Sequence, residues 1–96
     1  MLDYQLSGGE LSLSGQLRVQ FLDILKEALS QAARQGQAIR VDLSQVREAD
    51  LAGLQLLLSW LRSDAGPGVH LQGLSGSLAR AVDLAGLKEH LAPYLE

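Results

Sequence analysis

Val41-Asp42-Leu43-Ser44-Gln45-Val46-Arg47-Glu48-Ala49-Asp50-Leu51-Ala52-Gly53-Leu54-Gln55-Leu56-Leu57-Leu58 is the stretch on which the fold turns. Its start has a period of two. Ile39, Val41 and Leu43 alternate with Arg40 and Asp42, the pattern of a strand with one buried face. After Asp50 the period becomes helical and holds to about Ser63, with Leu54, Leu57, Leu58 and Leu61 on one side. A strand therefore leads through a short loop into a leucine-rich helix. Asp50 stands where an N-cap belongs, since its carboxylate can accept from the free amides of the first turn.

Upstream, Leu2, Tyr4 and Leu6 alternate with Asp3 and Gln5, and Leu11 and Leu13 alternate with Ser12 and Ser14. Gly8-Gly9 between them supplies the positive φ of a tight hairpin turn. From about Val19 to Gln35 the spacing predicts a helix whose buried stripe is Leu22, Leu25, Leu29, Ala32 and Ala33, stopped by Gly36. Ala65-Gly66-Pro67-Gly68 breaks the chain after the second helix, and Val69 and Leu71 make a short fourth strand. Ser75-Gly76-Ser77 then offers a cap for a helix burying Leu78, Ala81, Val82 and Ala85, with Gly86 as its stop. A last short helix is expected between Lys88 and Leu95.

The order is β-β-α-β-α-β-α-α. Strands covered on both faces would be apolar throughout, whereas every strand here alternates. The expectation is an α/β fold with a four-stranded mixed sheet of order 1-2-3-4, strand 1 antiparallel to the rest. Right-handed crossovers then place the helices mainly on one face. Residues 1–96 read as one domain.

Composition narrows the function. Of 96 residues 47% are hydrophobic, none is cysteine, and the formal charge is −3. Without cysteine there are no disulfides or thiolate metal sites, which is compatible with a cytoplasmic setting. The first residues show no signal peptide, and the longest apolar stretch, around Leu54 to Leu61, is too short to span a bilayer, so no direct membrane insertion is expected. The eight Lys and Arg residues are scattered, so no basic stripe argues for nucleic acid.

Catalytic groupings are equally sparse. His70 and His90 lie in different elements, no Gly-rich phosphate loop follows a strand, and no Gly-x-Ser-x-Gly elbow is present. A receiver-type phosphoacceptor at Asp42 or Asp50 would need clustered acids, a divalent ion and a nearby lysine. The only lysines are Lys26 and Lys88, both on helices. No catalytic residue, metal site or cofactor is expected.

Asp42-Leu43-Ser44 followed at a set separation by Asp50-Leu51-Ala52-Gly53-Leu54 resembles the signature of STAS domains, the fold of the anti-sigma factor antagonists. Leu13-Ser14-Gly15-Gln16-Leu17 is similar to the Gly-Glu-Leu segment after the family's second strand, and the order of elements fits over nearly the whole chain. The resemblance implies a cytoplasmic adaptor that binds a protein partner. That partner would be an anti-sigma factor or serine kinase, a chemotaxis-type signalling protein, or the ATPase of an Mla-type phospholipid ABC transporter. In the regulated members a Ser or Thr follows the loop aspartate and is phosphorylated. Here Leu51 stands there and Ala52 follows, so the phosphorylation position is degenerate. A phosphate of about −2 charge, which would repel a partner, has no hydroxyl to attach to at this site.

The interface expected from this reading centres on the start of the second helix: Arg47, Asp50, Leu51, Ala52, Gln55, Leu56 and Trp60. Ala52, Leu56 and Trp60 fall opposite the core stripe, where a surface helix is normally polar. Either a neighbouring helix covers them or they form an exposed patch, and Trp is a favoured interface anchor. Phe21 and Ile24 on the first helix admit the same two readings. Gly53 costs about 1 kcal/mol against Ala in a helix, which suggests a partner's approach or a tight contact with the third strand. A phosphoacceptor or enzyme module is the reading of another class, and nothing singles out a small ligand.

Overall fold

The computed structural model describes residues 1–35, 38–63, 68–74 and 76–95. Four strands, β1 (Leu2–Ser7), β2 (Glu10–Leu17), β3 (Ile39–Ala49) and β4 (Val69–Gln72), form one sheet of order β1-β2-β3-β4. β1 runs antiparallel to β2, while β2, β3 and β4 are mutually parallel, as the alternation predicts. Between the strands lie α1 (Leu22–Ala33) and α2 (Leu51–Arg62), and after β4 come α3 (Gly76–Leu84) and α4 (Lys88–Leu91).

The hairpin closes through Gly8 and Gly9, both at positive φ (56° and 84°), as a two-residue turn with right-handed strand twist requires. Inward residues of the strands and one stripe of each helix form a single core cluster that includes Leu11, Leu13, Val41, Leu54, Leu57, Leu71, Leu78 and Leu91. The opposite face carries Asp3, Gln5, Arg40 and His70, all exposed. α1 packs on β1, β2 and α2, and α3 packs on β3.

Three details depart from the expected pattern. A 3-10 turn, Val19–Phe21, precedes α1, so the helix starts later than its periodicity suggests. The buried stripe is Leu25, Ala28, Leu29 and Ala32, with Leu22 half-buried and Ala33 exposed. In α3 only Leu78 and Val82 are fully buried, Ala81 and Ala85 being half-buried.

The third departure is the length of β3, which continues through Ser44–Ala49, where a loop was expected. Its pairing with β2 slips between Ser12 and Ser14 and again between Gly15 and Gln16, each time with an extra residue on β3. Each bulge resets the alternation, so the inward residues run Leu43, Val46, Ala49 at a spacing that is not two. The expected stops at Gly36 and Gly66-Pro67, and the capping Ser75, lie outside the described residues.

The candidate binding surface at the start of α2

Bulged β3 carries the chain to Asp50, whose amide donates to the Leu17 carbonyl at 2.9 Å. Asp50 has extended backbone (φ −105°, ψ 174°) and caps α2. Its Oδ1 accepts from the Gly53 amide at 2.9 Å, the bond expected of an N-cap. Its Oδ2 accepts from the Val19 amide at 2.8 Å, which ties the segment between β2 and α1 to the same carboxylate. Burial pushes the Asp50 pKa up. The amides of Gly53 and Val19, helped by the charge of Arg18, outweigh this and hold it below its ordinary value.

Gly53 is buried in the first turn of α2. A Cβ there would stand 2.2 Å from the carbonyl oxygen of Leu17 and 2.6 Å from its carbon. The tight contact is with the end of β2, not with β3. It seats the helix start against the sheet and accounts for the glycine without any partner.

Leu51, the first residue of α2, is 50% exposed. Val19, whose amide the Asp50 carboxylate holds, is 59% exposed. Taken singly, exposed apolar residues are ordinary. Gln55, four residues after Leu51, continues the exposed face. Ala52, Leu56 and Trp60 are half-buried, and Leu56 and Trp60 pack against the core, as do Phe21 and Ile24. The second apolar stripe is thus partly covered. Trp60 is further held at its carbonyl, which accepts from Ser63 Oγ at 2.5 Å.

Arg47 is exposed, and its carbonyl accepts from Ser77 Oγ at 2.6 Å, fastening the first turn of α3 to β3. A shallow cleft of about 360 Å³ lies between these elements, lined by Arg18, Arg47, Glu48, Ala49, Asp50, Ser77 and Ala81. Arg18 reaches Glu48 across it at 3.4 Å. The structure therefore gathers Arg47 and Asp50 around one cleft with Leu51 next in the chain. Gln55 lines a different cleft with Leu58, Arg62 and His90. Sequence reasoning missed Arg18, Val19 and Ser77. Val19 reads there as the start of a helix, and nothing in its neighbours signals that Asp50 will hold its amide.

Among the described residues no group of His, Asp and Glu could hold a metal ion, and no helix is long and apolar enough to cross a membrane. The fold is that of a small α/β domain with a four-stranded mixed sheet. A family model described as Mlab, STAS domain, matches residues 1–94, and the chain belongs to the STAS domain family. STAS domains are in general non-enzymatic modules that interact with other proteins. No curated protein matches the chain.

Proposed function

We propose that this chain is a non-enzymatic regulatory module of the anti-sigma factor antagonist type. It docks a cytoplasmic protein partner on the start of α2, through Arg47, Asp50, Leu51, Ala52, Gln55, Leu56 and Trp60. The observation that carries the reading is Leu51, half exposed at the position that bears a phosphorylatable hydroxyl in regulated members of the family. Asp50 beside it is engaged by two amides and acts as a structural cap. With no hydroxyl at Leu51 or Ala52, binding here is constitutive, and the partner is an anti-sigma factor, a serine kinase or a chemotaxis-type signalling protein.

A second reading is favoured by the matching family itself, whose description names Mlab. In it the chain is the cytoplasmic subunit of an Mla-type phospholipid ABC transporter and the same surface binds the ATPase. Affinity capture from the native cell, with wild type and Leu51→Asp compared and the captured protein identified by mass spectrometry, tests both. Capture of an ATPase, an anti-sigma kinase or a chemotaxis component that Leu51→Asp abolishes supports docking at α2 and decides the branch. Unchanged capture by Leu51→Asp removes the start of α2 from the interface. Stoichiometric phosphate labelling of the chain by a candidate kinase would replace constitutive binding with a switch elsewhere.

A further inference from the structure

The two edges of the sheet are treated differently. Beside β4, Leu95 forms a parallel bridge to Leu71, so the short strand at that edge has a neighbour. β1 at the other edge is six residues long, and among the described residues no strand pairs with its outer side. Open edges are templates for further pairing, and proteins blunt them with proline, lysine, bulges or short strands. β1 has no proline, lysine or bulge, and its one charge is the exposed Asp3. Its sequence is Leu-Asp-Tyr-Gln-Leu-Ser, and its register with β2 runs without a slip from Leu2↔Gly15 to Ser7↔Glu10.

Which groups face outward follows from the hairpin. In a two-residue turn the closing pair, Ser7 and Glu10, exchanges hydrogen bonds, so the odd-numbered residues of β1 point their backbone groups at β2. The bond from the Gln16 amide to the Met1 carbonyl at 3.0 Å has the same parity. Leu2, Tyr4 and Leu6 therefore turn their N–H and C=O groups to the open edge. Their side chains lie on the core face, where Tyr4 and Leu6 are only half-buried.

We propose that β1 pairs antiparallel with β1 of a second copy of this chain, centred on Tyr4, to make one continuous eight-stranded sheet. The strand is complementary to itself in that register alone. Tyr4 meets Tyr4 of the second copy, Leu2 meets Leu6, and every outward backbone group of these residues finds a partner. On the other face Asp3 lies opposite Gln5 of the second copy, so the one charge on β1 meets an amide and not another carboxylate. Shifting the register by two residues leaves outward groups of Leu2 or Leu6 unpaired. The pairing covers the remaining exposed parts of Tyr4 and Leu6, whose apolar surface supplies the driving force that backbone bonds alone do not. This inference is independent of the surface at α2.

Sedimentation equilibrium of the full chain tests it. The mass should rise with concentration from 10.3 kDa towards twice that value. Tyr4→Pro removes an amide that faces outward, so the β1–β2 ladder keeps its bonds while the dimer loses its central pair. Its dissociation constant should rise at least tenfold. Should that variant fail to fold, cysteine pairing decides, because Asp3 and Gln5 are exposed and the chain has no cysteine of its own. Opposed residues in such a non-hydrogen-bonded pair have Cα atoms about 4.5 Å apart, within reach of a disulfide. A mixture of Asp3→Cys and Gln5→Cys chains should form disulfide dimers in large excess over either variant alone. A wild type that stays monomeric at every concentration overturns the proposal, as does cross-linking no greater in the mixture. A wild-type monomer would leave the edge to a strand of a different protein.

Discussion

The Cα of Gly53 lies against the carbonyl of Leu17 so closely that one added methyl group would stand 2.2 Å from the oxygen. Both partners are backbone, one at the start of α2 and one at the end of β2, so neither gives way by a side-chain rotation. Gly53→Ala gains about 1 kcal/mol of helix propensity and forces an overpacking cost of about 3 kcal/mol. The net expectation is a loss of about 2 kcal/mol in urea denaturation, with the slope of the transition unchanged. An alanine variant as stable as wild type would show that α2 is not seated on β2 in this way.

The carboxylate of Asp50 satisfies two amides from different parts of the chain, so its removal should cost more than an ordinary cap. Asp50→Ala is expected to destabilise by about 2 kcal/mol, at the upper end for N-caps. Asp50→Asn, whose single carbonyl oxygen serves one amide, should fall between the two.

Protonation of Asp50 should mimic those variants. Its folded pKa lies below its ordinary value of 3.8, so the unfolded chain binds its proton first as acid is added. The stabilisation is complete above the unfolded value and is lost as pH falls through the folded one. The stability gap between wild type and Asp50→Asn, followed by denaturation at a series of pH values, should therefore be constant near neutrality and narrow below about pH 4. A gap that persists unchanged into that range would mean that the charge contributes nothing.

Leu51→Asp separates folding from binding. The position is half exposed, and an acid in the first turn interacts favourably with the helix dipole. Thermal stability should stay within about 0.5 kcal/mol of wild type. If Leu51 is a central contact, affinity for the captured partner should fall by about 2 kcal/mol, roughly thirtyfold, in a titration with purified protein.

Ser77→Ala removes the hydroxyl that donates to the Arg47 carbonyl. The bond is exposed, and about 0.5 to 1 kcal/mol is expected. Hydrogen exchange should show faster exchange of amides in α3 with little change in α2.

Much of this architecture is legible in the residues. Alternation in Leu2–Leu6 and Ile39–Leu43 signals strands with one buried face, and Gly8-Gly9 marks the hairpin, so order and direction follow. The end of β3 is not legible, because two bulges put Val46 and Ala49 inward at a spacing of three, which breaks the strand period of two. Ala28 is a different case: with Leu25, Leu29 and Ala32 it completes the i, i+3, i+4, i+7 pattern of one helical face, so its burial is within reach of the period alone. At the candidate site, Asp50 as a cap and Leu51 as an exposed apolar residue are visible from local pattern. Val19 and Leu17 are more than thirty residues distant in sequence, and only the parallel pairing of β2 with β3 brings them there.

The doubly engaged carboxylate has a thermodynamic consequence for whatever docks beside it. Since the amides of Val19 and Gly53 already have their acceptor, a partner has no new bond to gain from either. Association would then draw on the removal of Leu51 and Val19 from water. Calorimetry across a range of temperatures should register this as a negative heat-capacity change that shrinks when Leu51 is cut back to Ala.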